Sequence, residues 1–278
     1  MDVVPDPVLV TGASTGIGWA TVAALVARNV RVLASVRADG DAGRLRESFG
    51  EAVEAIRLDL TDGDSIRSAL APVARLGALV NNAGTAVPGP LEHLSPERFR
   101  RQLEVNLVGQ LAVTQAALPA LRVHGRGARI VNVGSVGGRV AGPMLGAYHA
   151  SKFGLAGFSE ALRAELAPEG IQVVLVEPGV VATPIWDRGA DRAGNLLALL
   201  PPEGRARYGG RIDRLRRGAG RAADSGMPPS EVAEVIVELL AARRPPPRRL
   251  VGATARAAGV VDRLPDPLRF RLLDRVRR

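Results

Sequence analysis

Apolar residues along this 278-residue chain fall into two kinds of run, and the two kinds alternate. The short unbroken runs are PVLVTG (7–12), VRVLASV (30–36), VEAIRLDL (53–60), ALVNNAG (78–84), ARIVNVG (128–134) and IQVVLVEPG (171–179). They are rich in β-branched residues and most close on Gly, Asn or Asp, so each reads as a strand buried on both faces. Between and after them lie longer stretches whose apolar positions recur every three or four residues. These are IGWATVAALVARN (17–29), TDGDSIRSALAPV (61–73), a long stretch over about 95–122, and the segments 147–167 and 229–244. They read as helices. Thr61 or Asp62 is placed to cap the second, and Pro96 suits the first position of the third. RRLVGA (248–253) is a candidate last strand.

Strands alternating with helices make βαβ units, and these stack as a parallel sheet covered on both faces. The expected fold is a Rossmann-type α/β domain, doubly wound in three layers, over residues 1–255. Residues 256–278 are expected as a basic helical tail, capped at Asp266 with Pro267 first and Leu268, Leu272 and Val276 on one face. Ligands of such sheets sit at the carboxyl ends of the strands. Gly12, Arg37, Asp59, Asn82, Ser135 and Gly179 all follow strands and are therefore candidates.

Composition narrows the chemistry. There is no Cys, which removes disulfides, thiolate catalysis and thiolate metal sites. The three His, at 93, 124 and 149, have no ligand spacing, so no metal site is expected. Net charge is +9, but residues 241–278 carry +8 and residues 204–221 carry +6, leaving −5 for the rest. With aromatics at 3% and no nucleic-acid motif, this basicity belongs to a loop and a tail rather than to a nucleic-acid surface. Residues 204–221 are expected as a solvated basic loop. The tail permits peripheral membrane contact, with packing on the domain or on a second subunit favoured. MDVVPDP lacks the pattern of a secretory signal, and no apolar run approaches the roughly 20 residues of a membrane span. The expected location is cytoplasmic.

Two motifs carry the chemistry. TGASTGIG (11–18) stands where the first strand turns into the first helix, where glycines let backbone approach a pyrophosphate and the helix N-terminus attracts its charge. YHASK (148–152) holds the only Lys of the chain, Lys152, four residues after Tyr148, one of two Tyr. Positions four apart share a helix face. An ammonium near a phenol favours the phenolate, so with it and the positively charged ring of a bound dinucleotide Tyr148 is expected to have a lowered pKa and to exchange a proton with a carbonyl or alcohol. Arg supplies the charge but not the compact, rotatable head.

The Gly-x3-Gly-x-Gly spacing, NNAG (81–84), VGSVGG (133–138), YHASK and EPGVVAT (177–183) occur in the order found in the classical short-chain dehydrogenases/reductases, and the chain resembles that family over about residues 8–183. Its look is nearest the branch of hydroxysteroid and retinol dehydrogenases, which implies an apolar ketone or alcohol. The resemblance implies catalytic roles for Tyr148, for Ser135 as donor to the substrate oxygen, for Lys152, and for Asn106 in a proton relay to Lys152. It implies cofactor contacts by Gly12, Ser14, Thr15, Gly16, Ile17, Gly18, Asp59, Leu60, Asn82, Ala83, Gly84, Tyr148, Lys152, Pro178, Gly179, Val181 and Thr183. At the end of the second strand Ser35 stands near where NAD-binding members place an acid, and Arg37 follows, which suits a 2′-phosphate. NADP is therefore expected over NAD. Residues 184–228 would cover the substrate, with Ile185, Trp186, Leu196, Leu197, Leu199 and Leu200 either as apolar lining or as core or oligomer contacts. Homodimers or homotetramers through the two long helices are implied too. Competing readings are a reductase of carrier-bound thioesters, a nucleotide-sugar epimerase or dehydratase, and a non-catalytic NADP-binding scaffold.

Overall fold

In the computed structural model, which describes residues 4–185, 198 and 200–277, the six predicted runs and the RRLV segment form one parallel sheet. The strands are β1 (Val8–Val10), β2 (Val32–Val36), β3 (Val53–Arg57), β4 (Ala78–Asn81), β5 (Arg129–Val133), β6 (Gln172–Pro178) and β7 (Arg248–Val251). Their order is β3-β2-β1-β4-β5-β6-β7, so the chain runs outward one way from β1 and then reverses between β1 and β4. That reversal opens a crevice at the carboxyl edge.

Alternation along each strand divides the core in two. Val8, Val10, Val32, Ala34, Val80, Val131 and Val174 pack on one face with α1 (Gly16–Val26) and the helix Pro229–Ala241. Leu9, Leu33, Leu79, Ile130 and Val173 pack on the other with α3 (Gly63–Leu70), α5 (Gly109–His124) and α6 (Gly146–Leu166). Burial on both faces explains why the strands read as unbroken apolar runs. Asp62, not Thr61, caps α3, accepting from the backbone N–H of Asp64 and Ser65 at 2.9 and 3.1 Å. Ser95 caps α4 (Pro96–Leu103).

Three features differ from the sequence expectations. A helix α2 (Asp39–Phe49) lies between β2 and β3; only Ala42 and Leu45 of it are buried, too few to show a period. The long helix of 95–122 is three pieces: α4, a π turn at Glu104–Val108, and α5. Most important, residues 204–221 are not a loop. They lie within α7 (Pro202–Ser225), which buries Gly204, Ile212, Ala219 and Ala222. Tyr208, which had no expected role, donates to Glu92, and Arg207 reaches the same carboxylate at 2.6 Å. Helices α8 (Pro229–Ala241), α9 (Ala253–Asp262) and α10 (Asp266–Arg277) complete the chain. Leu268 and Leu272 on α10 are exposed, and the side chain of Val276 lies outside those described.

The C-terminal helices are tied to the sheet by charge. Glu177, fully buried at the end of β6, takes both forks of Arg139 at 2.9 and 2.7 Å and both of Arg248 at 3.2 and 2.6 Å. Arg139 also reaches Asp262 of α9 at 3.1 Å, and Arg269 of α10 donates to the Arg139 carbonyl at 2.6 Å. Arg248 completes the knot on Glu160 of α6 at 3.0 Å. Arg139 lies four residues after Ser135, so the knot braces the loop that carries that serine.

Candidate active site

The crevice above β1 and β4 is a cleft of about 490 Å³. One end is built from backbone. Gly12 and Gly16 have φ of 64° and 58°, conformations that favour glycine. A Cβ on Gly12 would lie 2.8 Å from Ala83 Cα, and one on Gly16 would lie 3.1 Å from Thr183 Cγ2. The loop thus needs glycine to pass under the NNAG segment and under the chain leaving β6. Asn82 holds it there: its Nδ2 donates to the carbonyls of Thr11 and Gly12 at 2.9 and 3.2 Å. Thr11 Oγ1 accepts from the N–H of Asn82 and Ala83 in return, at 2.9 and 3.0 Å. Asn81 turns the other way, into the core, donating to Thr114 and Asn132, each at 2.9 Å.

Ser14, Thr15, Gly16 and Ile17 line the cleft with Gly12, Arg37, Asp59, Leu60, Asn82, Ala83 and Gly84. Gly18 does not line it. A Cβ there would lie 2.2 Å from Gly12 O, so its role is close contact between helix and loop. Ser35 is buried, and its Oγ accepts from Gly12 N–H at 3.4 Å. Asp59 accepts from the N–H and Oγ1 of Thr61 at 2.9 and 2.8 Å. Burial pushes its carboxyl up, but those hydrogen bonds and the nearby Arg37 and Arg101 outweigh this and hold it below the usual range. Arg98 and Arg101 of α4 also line the cleft, as do Thr85 and Val87. Sequence reasoning missed these four. The two arginines belong to a polar helix face among many other arginines, and nothing in their spacing sets them apart.

The other end is built from side chains. Helix α6 places Tyr148 and Lys152 on one face, and Ser135, two residues past the end of β5, stands opposite them. All three line the cleft, with Asn106, Pro178, Gly179, Val181, Thr183 and Ile185. Ser135 Oγ accepts from Gly137 N–H at 3.0 Å and stands beside the Tyr148 phenol, close enough to act on its titration. Burial pushes the phenol up and Ser135 opposes this, so the chain's own groups do not produce the lowered pKa expected from YHASK. The reason is where the lysine goes. Lys152 Nζ lies 5.9 Å from the Tyr148 ring centre and donates to Val133 O at 2.8 Å. Burial pushes this ammonium down to about 8.

Asn106 sits in the π turn, fully buried. Its Nδ2 donates to Thr85 O and Ser151 Oγ at 3.0 and 3.1 Å, and its Oδ1 accepts from Thr85 N–H at 2.8 Å. Its side chain thus ties Thr85 to Ser151 of α6 and makes no hydrogen bond to Lys152. His149 braces the loop after Ser135, accepting from Gly142 N–H at 2.9 Å and meeting Gly137 O at 2.8 Å. Among the described residues no group of His, Cys, Asp or Glu is arranged to hold a metal ion. No described helix is long and apolar enough to cross a membrane. Of the expected apolar lining, Leu200 packs with Met144 and Ile212, while Trp186, Leu196, Leu197 and Leu199 lie outside the described residues.

The fit to a nicotinamide dinucleotide rests on this cradle: a strand-to-helix turn open only because three glycines lack Cβ atoms, leading to a Tyr–Ser–Lys cluster. Comparison with known proteins agrees. The family model for short chain dehydrogenases matches residues 6–193. An uncharacterised oxidoreductase, YusZ of Bacillus subtilis, is 38% identical over 239 residues, 83% of each chain. Human retinol dehydrogenase 5 is 39% identical over 212 residues, 73% of this chain and 66% of that one. A dehydrogenase of Burkholderia phymatum solved with NAD superposes with a TM-score of 0.79 at 25% identity, covering 96% of this chain and 95% of that one. Another from Burkholderia cenocepacia, solved with NADP, gives 0.77 at 27% identity, covering 98% and 99%.

Proposed function

The chain belongs to the short-chain dehydrogenase family, and from that premise we propose that it interconverts an apolar ketone and alcohol using NADP(H) rather than NAD(H). As a member of the family it is an oxidoreductase acting on carbonyl and CH–OH groups with a nicotinamide dinucleotide. The observation that carries the reading is the Ser135–Tyr148 pair at one end of the cleft whose other end is the glycine loop with Arg37.

The backbone of Gly12 and residues 14–17 would hold the pyrophosphate, with Gly18 letting the helix pack close beneath them. Arg37 would take a 2′-phosphate, since Ser35 puts no carboxylate there to repel it. Asp59 and Leu60 would flank the adenine, Asn82, Ala83 and Gly84 would pass beside the dinucleotide, and Pro178, Gly179, Val181 and Thr183 would border the nicotinamide. When bound, the dinucleotide supplies the hydride in reduction and takes it in oxidation. Tyr148 gives its phenolic proton to the carbonyl oxygen, or takes the alcohol proton in the reverse direction. Ser135 Oγ, fixed by Gly137 N–H, holds that oxygen. Lys152, held by Val133 O, would bind ribose, and only together with the charge of the bound nicotinamide would it stabilise the phenolate left behind. Asn106 supports the relay that returns a proton. Val108, Leu111 and Phe153, exposed on the π turn, α5 and α6, support assembly of copies through these helices.

The test separates binding from chemistry. Tyr148→Phe keeps the ring and removes the proton. NADPH affinity is expected to stay within about threefold, while NADPH consumption with a panel of apolar ketones falls by roughly 10²–10⁴-fold. A variant that turns over like the native chain would contradict the role of Tyr148.

A further inference from the structure

Helix α7 carries seven arginines within residues 204–221, and the structure divides them. Arg207 is spent on Glu92. Arg205, Arg216 and Arg217 are exposed and lie outside the groove lined by the other three. Arg211, Arg214 and Arg221 recur at helical spacing on one side of α7 and line a second groove, of about 940 Å³. Its floor is apolar: Leu215 and Ala219 of α7, Met144, and Val180. None of the three arginines forms an ion pair with a described residue, although Arg211 lies 5.8 Å over the Tyr208 ring. Three guanidinium groups with no ion-pair partner among the described residues, set around an apolar floor, make a site for an amphiphile with an acidic head.

The groove adjoins the reaction end of the cleft. Val180 follows Gly179, and Met144 stands four residues before Tyr148. Gly179 and Val181 face the cleft while Val180, between them, faces the groove, so one strip of chain separates the two. We propose that this groove binds the distal end of the substrate, and that the substrate is an apolar ketone or alcohol bearing a carboxylate or phosphate. This deepens the oxidoreductase reading and rests on it for the word substrate. The amphiphile site itself stands on the groove alone.

The test compares two sets of substitutions of equal charge. One neutralises the groove (Arg211→Gln, Arg214→Gln, Arg221→Gln), the other the outward face (Arg205→Gln, Arg216→Gln, Arg217→Gln). Octanoate, octyl phosphate and octanol are titrated by calorimetry against native chain and both variants, below micelle-forming concentrations, with and without NADP⁺. At least one acid is expected to bind ten times tighter than octanol or better. That advantage should vanish in the groove variant and survive in the outward one, and whichever acid shows it identifies the head group. Equal affinity for octanol, equal loss in both variants, or no binding of either acid would overturn the proposal. A parallel NADPH titration keeps the readings apart: failure there sinks the oxidoreductase reading, while the amphiphile result is judged on its own.

Discussion

The loop 11–18 and helix α7 are both rich in glycine, and three glycines of each are there for opposite reasons. In the loop a Cβ at Gly18 would lie 2.2 Å from a carbonyl oxygen, and one at Gly12 would lie 2.8 Å from Ala83 Cα. In α7 a Cβ at Gly210, Gly218 or Gly220 would meet nothing within 4 Å. The first region demands glycine and so announces itself as a motif. The second tolerates glycine, and the tolerance hides a helix. A residue type is legible as function only where the fold leaves it no alternative.

The largest effect should come outside both regions, where a charge knot ties the C-terminal helices to the sheet. Glu177 is fully buried between Arg139 and Arg248, and through Arg139 it reaches α9 and α10. Glu177→Gln leaves two guanidinium groups short of their counter-charge. It is expected to lower stability to urea by about 3 kcal/mol. An unchanged midpoint would mean that the C-terminal helices are held by packing alone.

Next is Lys152. Its folded-state pKa of about 8 lies below the unfolded value of 10.5. Between those values the unfolded chain binds more protons, so native stability rises with pH through that window. Below about pH 8 the buried ammonium carries its full cost, about 3 kcal/mol. Lys152→Met has no such group. Urea unfolding at pH 7 and pH 10 should therefore show the native chain gaining on the variant as pH rises. Parallel behaviour of the two would contradict a buried, titrating lysine.

The smallest effects restate the glycine contrast as a pair. Gly18→Ala is expected to cost about 1–3 kcal/mol through overpacking and to weaken NADPH binding. Gly210→Ala, on an open face of α7, is expected to stabilise by about 0.5–1 kcal/mol. Thermal melts read both; equal signs would erase the distinction.

The same distinction explains what the sequence did and did not reveal. The strands were legible because burial on both faces leaves only apolar residues, as in Val8, Leu9 and Val10. The cleft residues were legible because glycines with positive φ and a Tyr–Lys pair at helical spacing are hard to place otherwise. Helix α7 was not. Five of its 24 residues are glycine, and its buried face is Ile212 with two small alanines, so no apolar period stands out from the arginines. Helix α2 failed for a similar reason, with two buried positions in 11 residues. The chain's own groups leave the Tyr148 phenol raised because helical spacing fixes a shared face, not the direction of the ammonium; the rest of the expected depression belongs to the bound nicotinamide. Lys152 Nζ turns to Val133 O.

The most direct single measurement is a fluorescence titration of NADPH and NADH against the native chain and Arg37→Ala. NADPH is expected to bind at least ten times tighter than NADH, and Arg37→Ala should remove the difference by weakening NADPH alone. NADH binding as tight as NADPH, or a preference that survives in Arg37→Ala, would contradict the role given to Arg37 and the NADP(H) assignment with it.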